Sequence, residues 1–535
     1  MSAPPPPVDL DTARSRKRGR STASASRSFG RTTAVALHGI SGTPVSIEAS
    51  VNDGLPGIDI VGLPDTSVTE SRKRIRAAIS NLGITLTSRR VTVNLSPGGV
   101  KKVGTAFDLG IAVAILEAEG KIPADRARGI VHIGELGLDG RIHPVRGVLP
   151  SVLAGLRAGA TRFVVPAANA EEAGLVDGAE VRGAANLADA VTMLGGEIDD
   201  PGLPAIELPE AAALSPPDVH DLAEVQGQDD ARFALEVAAA GGHHLLMTGT
   251  PGAGKTLLAG CLPGLLPPLD VDEACEVVAL RSLDGTLDPA AGLDRTPPFE
   301  APHHRTSASA MVGGSRPGSI GVFSRAHRGV LFMDEAPEFR RDVLEALRQP
   351  LENGRCDIHR AWGSVVLPSR FQLVLASNPC PCGAGVGGST RCRCTPLDRR
   401  RYRGRLSGPL LDRIDIQLEM LPLVAADLHA TSPREDTATV AARVARAREL
   451  QAHRYAGLPW SLNAQAPGAW LRETFDFRRT ETAPLDTALE RGGITMRGYD
   501  RVVRIATTLA DLAGRTRPQG DDLLSALVLR IRETS

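Results

Sequence analysis

Aromatic side chains are scarce in this chain: they make up 3% of 535 residues, with three Tyr and three Trp. Binding surfaces built on aromatic stacking should be correspondingly rare. A charge excess is also missing, since 61 Lys and Arg face 62 Asp and Glu for a net charge of −1. That balance excludes a basic coat, so any contact with DNA or RNA has to come from a local groove or a ring lining. The sequence lacks an apolar run of about 18 residues able to span a membrane. It opens Met-Ser-Ala-Pro-Pro-Pro-Pro and continues with Arg and Ser, without the apolar core of about 7–15 residues of a secretory signal. A cytoplasmic protein with no membrane partner is expected. Seven cysteines are too few for a disulfide framework in so long a chain.

What is present is a globular composition, 42% apolar and 23% charged, with 56 Gly and 39 Pro that call for many turns. The length predicts two to four domains. Residues 1–33, rich in Pro, Ser and Arg, read as a disordered tail whose basic run at 16–20 is a solvated segment or a nucleic-acid contact. From 34 to 198 short β-like runs (32–37, 45–51, 91–95, 130–134 and 162–165) alternate with helical ones (107–119 and 149–158), predicting a compact α/β unit. A Pro-rich stretch at 199–218 reads as a linker. Residues 219–431 alternate helix and strand, with strands at 245–248, 330–333 and 372–377 and a docking helix ahead of them at 218–235. After Pro433 helices at 437–450, 479–491, 496–513 and 520–532 predict a small bundle within 432–535.

The chemistry starts at Gly249-Thr250-Pro251-Gly252-Ala253-Gly254-Lys255-Thr256, a complete phosphate loop after an apolar run. Its glycines let backbone N–H groups wrap phosphates at the positive end of the next helix; Lys255 reaches the β- and γ-phosphates of ATP and Thr256 holds Mg²⁺. The apolar run 330–333 leads into Asp334 and Glu335, expected to complete the magnesium site and to polarise the attacking water. Asn378, ending another apolar run, suits a polar sensor that orients this water. Arg413, in Leu411-Asp412-Arg413-Ile414-Asp415, is either a finger reaching a neighbouring subunit's site or the partner of Asp412 or Asp415 in an intrachain ion pair.

These elements, with Asn378-Pro379-Cys380-Pro381-Cys382-Gly383 and with Ala301-Pro302-His303-His304-Arg305 leading to Gly313-Gly314 and Arg316-Pro317-Gly318, resemble the magnesium chelatase-like AAA+ ATPases of the YifB/ComM group. The similarity runs from about residue 34 onward. It implies an α/β protein with a Lon-protease-like (ribosomal S5 domain 2-like) N-terminal domain, an AAA+ P-loop NTPase core and a C-terminal helical lid. It further implies a homo-hexamer in which Arg413 acts in trans and Arg497 is the second sensor, with Arg504 as the alternative. The insert and the hairpin around 356–366 are implied to face a central channel, making His303, His304, Arg305, His359 and Arg360 strand contacts, unless they are ordinary solvated loop charges.

Cys380, Cys382, Cys392 and Cys394 form Cys-x-Cys, nine residues, Cys-x-Cys. Four thiolates in one loop can close a structural Zn²⁺ site; free thiols or a reducible loop are the alternative. Around them Arg391, Arg393, Arg399, Arg400, Arg401, Arg403 and Arg405, seven arginines in fifteen residues, make the best local nucleic-acid patch of the chain, though they would equally suit an acidic subunit face. The first domain resembles the Lon protease fold around 104–111 and 134–140, but Asp108 stands where the serine nucleophile belongs and Leu149 where the lysine base belongs. No peptidase activity is expected. The resemblance implies an ATP-driven DNA motor promoting branch migration in recombination of incoming DNA. A chelatase- or chaperone-type remodeller of a protein partner, or a slowly hydrolysing assembly platform, are the other readings.

Overall fold

The computed structural model describes residues 29–86, 89–199, 201–207, 220–314, 318–360, 363–385, 392–423 and 434–530. The basic run at 16–20, the linker beyond 207, Arg316, Pro317, Arg391 and Pro433 lie outside them.

The first domain is built on strands β1 (Phe29–His38), β2 (Ser41–Asn52), β3 (Gly57–Val61), β4 (Arg90–Ser96), β5 (Ile130–His132), β8 (Arg162–Pro166) and β9 (Glu180–Ala184), with a short hairpin of β6 (Glu135–Leu136) and β7 (Ile142–His143). The seven strands run in the order β3-β4-β2-β1-β5-β8-β9. β1 begins five residues before position 34, so the tail predicted to extend to 33 ends sooner. Helices α1 (Thr66–Asn81), α2 (Asp108–Ala118) and α3 (Val148–Arg157) pack on the sheet. α2 is buried along its whole length, which fits its nearly unbroken run of aliphatic residues.

His132 on β5 is enclosed, with Nδ1 2.7 Å from the Thr32 hydroxyl, and burial pushes its pKa from 6.5 down to about 4. Because the folded value lies below the unfolded one, folding favours the neutral ring. Its stability contribution is whole above pH 6.5 and is lost as pH falls toward 4, by on the order of 3 kcal/mol. Urea midpoints measured at pH 7 and pH 4.5 should therefore fall more steeply in the wild type than in His132→Asn; equal falls would contradict this.

The second domain holds a five-stranded parallel sheet, order β11-β12-β15-β10-β16, made of β10 (Leu245–Gly249), β11 (Phe299–Glu300), β12 (Val330–Met333), β15 (Gln372–Ser377) and β16 (Ile416–Met420). β10, β12 and β15 are buried at every residue, as continuous apolar runs in a covered parallel sheet should be. A hairpin of β13 (Arg355–Arg360) and β14 (Gly363–Pro368) packs Cys356, Ile358 and Leu367 into the buried cluster that holds residues of β12 and β15. Helices α4 (Asp229–Gly241), α5 (Lys255–Leu265), α6 (Val271–Asp284), α7 (Ala308–Val312) and α8 (Pro396–Arg403) complete what is needed here. The docking helix predicted at 218–235 is corrected: α4 starts at Asp229, because Gly227 and Gln228 take left-handed φ values of 59° and 58° that interrupt any earlier helix.

The C-terminal helices are α9 (Thr437–Arg454), α10 (Gly468–Phe475), α11 (Arg479–Glu490), α12 (Met496–Leu512) and α13 (Gly520–Arg530). They share one apolar core with α4 and α5. Arg443 ties α9 to Glu236 of α4 at 2.7 and 2.9 Å. No helix among the described residues is long and apolar enough to cross a membrane.

First and second domains meet through an apolar joint. Val148, Leu149 and Val152 of α3 share one buried cluster with Val278 and Ala279 of α6. Glu172 accepts from the Leu149 backbone N–H at 3.1 Å and from the Ser282 hydroxyl.

Candidate functional site

All strands of the second sheet point the same way, so the segments leaving their C-terminal ends converge on one edge. β10 releases the phosphate loop there. Gly254 caps α5 at φ 87°, a left-handed position that a side chain would strain. Lys255 folds back onto its own loop, donating from Nζ to Gly249 O (2.8 Å), Thr250 O (3.0 Å) and Asn378 Oδ1 (3.3 Å). Burial pulls the Lys255 pKa below its ordinary value, against Asp334 and Glu335, which pull it up. An ammonium held only by carbonyl and amide oxygens is suited to an incoming polyphosphate. Asn378 follows β15, between β10 and β12 in the sheet, and so reaches the same point.

β12 releases Asp334 and Glu335. Asp334 Oδ2 accepts the Thr256 hydroxyl at 2.8 Å, and a hydroxyl beside a carboxylate at the start of the phosphate-binding helix is the donor set Mg²⁺ takes with a nucleotide. Glu335 stands at φ 51°, ψ 43°, a rare backbone state for a residue with a side chain and one found where function demands it. Its carboxylate lies 3.3 Å from His304 Nδ1.

The cysteine loop leans on the phosphate loop: a Cβ on Gly383 would come within 2.7 Å of Pro251 Cγ. Its four Sγ atoms lie within 4.8 Å of one another, with Cys380 at 3.4 Å from Cys382 and 3.7 Å from Cys392. Thiolates tetrahedrally disposed at about 2.3 Å from zinc are roughly 3.8 Å apart, so these four fit that ion. Arg399 donates to Cys392 Sγ at 3.2 Å and Arg405 to Glu338 at 2.7 Å. Arg393, Arg400, Arg401 and Arg403 remain exposed, the last three on α8. Tyr402, unmarked by any sequence motif, is buried on the same helix, and burial, with Glu338 and Glu335, pushes its pKa up to about 12.

Arg413 is elsewhere. It precedes β16, whose Ile416 pairs with Leu245 and whose Met420 pairs with Gly249. Arg413 therefore sits at the N-terminal edge of the sheet, while the phosphate loop leaves the C-terminal edge, four residue steps or about 13 Å along β10. Its ion-pair partner is Glu352, not Asp412 or Asp415; Asp415 is buried against Arg501 and His243. Burial, then the like charges of Arg497, Arg348 and Arg501, pull the Arg413 pKa below its ordinary value. Arg497, whose charge acts on Arg413, is exposed at the start of α12. Arg504 donates to Ala466 O at 2.7 Å, a structural bond within the C-terminal bundle.

Of the expected strand contacts, His303, Arg305, His359 and Arg360 are exposed. His304 is turned to Glu335, and Arg360 donates to Gly314 O (3.2 Å) and Gly313 O (3.4 Å). In the first domain Asp108 is buried and bonded to Arg74 at 2.6 and 3.0 Å; burial lifts its pKa to about 6 against the pull of Arg74. Leu149 belongs to the interdomain joint. Neither position carries a serine or a lysine.

Residues 221–428 match the family described as magnesium chelatase, subunit ChlI; residues 47–169 match subunit ChlI of Mg-chelatase, and 434–530 its C-terminal part. An uncharacterized protein of Mycobacterium tuberculosis is 47% identical over 94% of this chain and 98% of its own length. YifB of Escherichia coli is 38% identical over 89% of this chain and 91% of its own. Competence protein ComM of Haemophilus influenzae is 38% identical over 92% and 95%. A Lon protease of Mycolicibacterium smegmatis is 29% identical over 30% of this chain and 22% of its own length.

Proposed function

Because the chain belongs to the YifB/ComM family of magnesium chelatase-like AAA+ ATPases, we propose that it is a hexameric ring motor that hydrolyses ATP to act on DNA. Branch migration or helicase action during homologous recombination of incoming DNA is the task this reading assigns. One observation carries it: the exposed Arg393, Arg400, Arg401 and Arg403 sit on the loop and helix that follow Cys382-Gly383, the turn resting on the phosphate loop. A phosphate backbone bound there is mechanically close to the nucleotide.

In this mechanism Lys255 and the loop N–H groups bind the β- and γ-phosphates of ATP. Thr256 and Asp334 hold Mg²⁺, which neutralises phosphate charge when bound. Glu335 takes the proton side of the attacking water, and Asn378 orients that water. The neighbouring subunit supplies Arg413, which precedes β16 in its own chain, and Arg497 serves as the second sensor. Cys380, Cys382, Cys392 and Cys394 hold a structural zinc ion that keeps the loop shaped; elemental analysis of freshly purified protein is expected to return about one zinc per chain, and its absence would refute that assignment.

ATP turnover measured with and without single-stranded and forked DNA tests the motor. Stimulation is expected, falling steeply with salt because phosphate contacts release counterions, and Arg400→Ala/Arg401→Ala/Arg403→Ala should lose most of it. If DNA neither binds nor stimulates, the motor reading gives way to remodelling of a protein partner.

A further inference from the structure

The strands of the second sheet all begin along one edge, opposite the edge that carries the phosphate loop. At that starting edge lies a cavity of about 630 Å³, walled by residues ahead of the strands and by α9 and α12. Six arginines and three carboxylates line it. Arg328 pairs with Glu273 at 2.9 Å, Arg413 with Glu352 and Arg501 with Asp415. Arg370, Arg448 and Arg504 are left without a carboxylate partner among the described residues.

Arg448 and Arg504 are half-buried and give their Nε groups to backbone carbonyls, Ala239 O at 3.0 Å and Ala466 O at 2.7 Å. A carbonyl satisfies a hydrogen bond but cancels no charge. Burial pulls both pKa values down, that of Arg448 to about 10, as it does for a cation short of a counter-ion. The neutral groups of the wall are donors as well. Trp460 Nε1 is buried with no acceptor among the described residues, and so is Arg413 Nε. His244 Nδ1 accepts the Leu373 backbone N–H at 3.0 Å, and burial pulls its pKa down to about 4. At neutral pH its one proton is therefore on Nε2, which can only donate.

Uncancelled positive charge and unmet N–H groups, with every carboxylate already taken, call for an anion. Leu266, Pro267, Pro268 and Leu269 line the same space, so part of the wall suits an apolar or ring-shaped body. A volume of this order holds a ligand larger than a bare phosphate ion. We propose that this cavity is a second anion site, which takes a phosphorylated small molecule of mononucleotide size. Its phosphoryl group is held by Arg370, Arg448 and Arg504 with the Trp460 N–H. The site is separate from the phosphate loop, and it depends neither on the DNA reading nor on where Arg413 acts.

The test titrates the full-length Lys255→Ala chain, whose phosphate loop is disabled, with AMP, pyrophosphate and orthophosphate in a calorimeter without Mg²⁺. Saturable binding of about one AMP per chain is expected. AMP tighter than pyrophosphate would show that the ring body is read; pyrophosphate as tight as AMP would show a site for free inorganic phosphates. In the same background Arg448→Gln should weaken binding about tenfold or more, while Arg448→Lys, which keeps the charge, should retain most of it. Arg370→Ala, at an exposed position, and Trp460→Phe, which removes only the N–H edge, keep the test open where Arg448→Gln fails to fold. Each is expected to cost several-fold in Kd. No saturable binding of any of the three anions would overturn the proposal, and so would binding that Arg370→Ala and Trp460→Phe leave unchanged.

Discussion

Glu335→Gln is expected to lower kcat for ATP hydrolysis by about 10²–10⁴-fold while nucleotide affinity stays close to wild type. The amide is isosteric and preserves the turn that begins at Glu335, whose backbone bonds to Asp334 and Glu338 do not involve the carboxylate. On the proposed mechanism, what is lost is the group that accepts a proton from water, and this is needed only in the transition state. Lys255→Ala should behave differently. That ammonium now satisfies three oxygens around the loop and would face the phosphates in the ground state as well, so its removal should abolish binding itself. Equilibrium binding of a fluorescent ATP analogue, set beside phosphate release, separates the two. A Glu335→Gln protein that retains turnover within a few-fold of wild type would remove Glu335 from the chemistry.

Arg413→Ala is expected to cost about 10³–10⁵ in kcat, and mixing should reveal where the arginine acts. An arginine at the N-terminal end of β16 cannot reach a phosphate beyond the C-terminal end of β10 in the same chain. A chain with Lys255→Ala keeps its Arg413, and a chain with Arg413→Ala keeps its phosphate loop. Combined in equal amounts, the two inactive proteins should regain about a quarter of wild-type turnover, the share of head-to-tail interfaces that pair an intact loop with an intact arginine. Mixtures as inactive as their components would place the function of Arg413 within its own chain. For Arg413 to act in trans as proposed, its pairing with Glu352 has to give way to the neighbour's nucleotide.

The legible parts of this protein were the continuous ones. β12 and β15 stand where their apolar runs predict, and Asp334, Glu335 and Asn378 follow because the ends of buried parallel strands leave little freedom. α1 was harder to read, since Arg72, Lys73, Arg74 and Arg76 give it the look of a solvated segment; its core-facing Val68, Ile75 and Ile79 lie on one face of a helix only once a sheet is there to cover them. Contacts between distant segments were not legible at all. Sequence neighbours offered Asp412 or Asp415 as the partner of Arg413, but Ile414 is buried and turns the chain, leaving the guanidinium to Glu352. The same holds for His304, whose spacing speaks of loop charge and whose place beside Glu335 is fixed by the pairing of β11 with β12.

The apolar joint of α3 with α6 has a mechanical meaning. Leu149 closes the seam, and the first domain is left without a hinge at that point. α6 and α3 must then turn together. From β1, which shares the cluster beneath the joint through Val35, the outer strand β3 is three strand spacings away, about 14 Å. A rotation of roughly 10° in α6 would therefore sweep β3 through about 2.5 Å. The first domain serves in this geometry as a stiff lever arm on the ATPase.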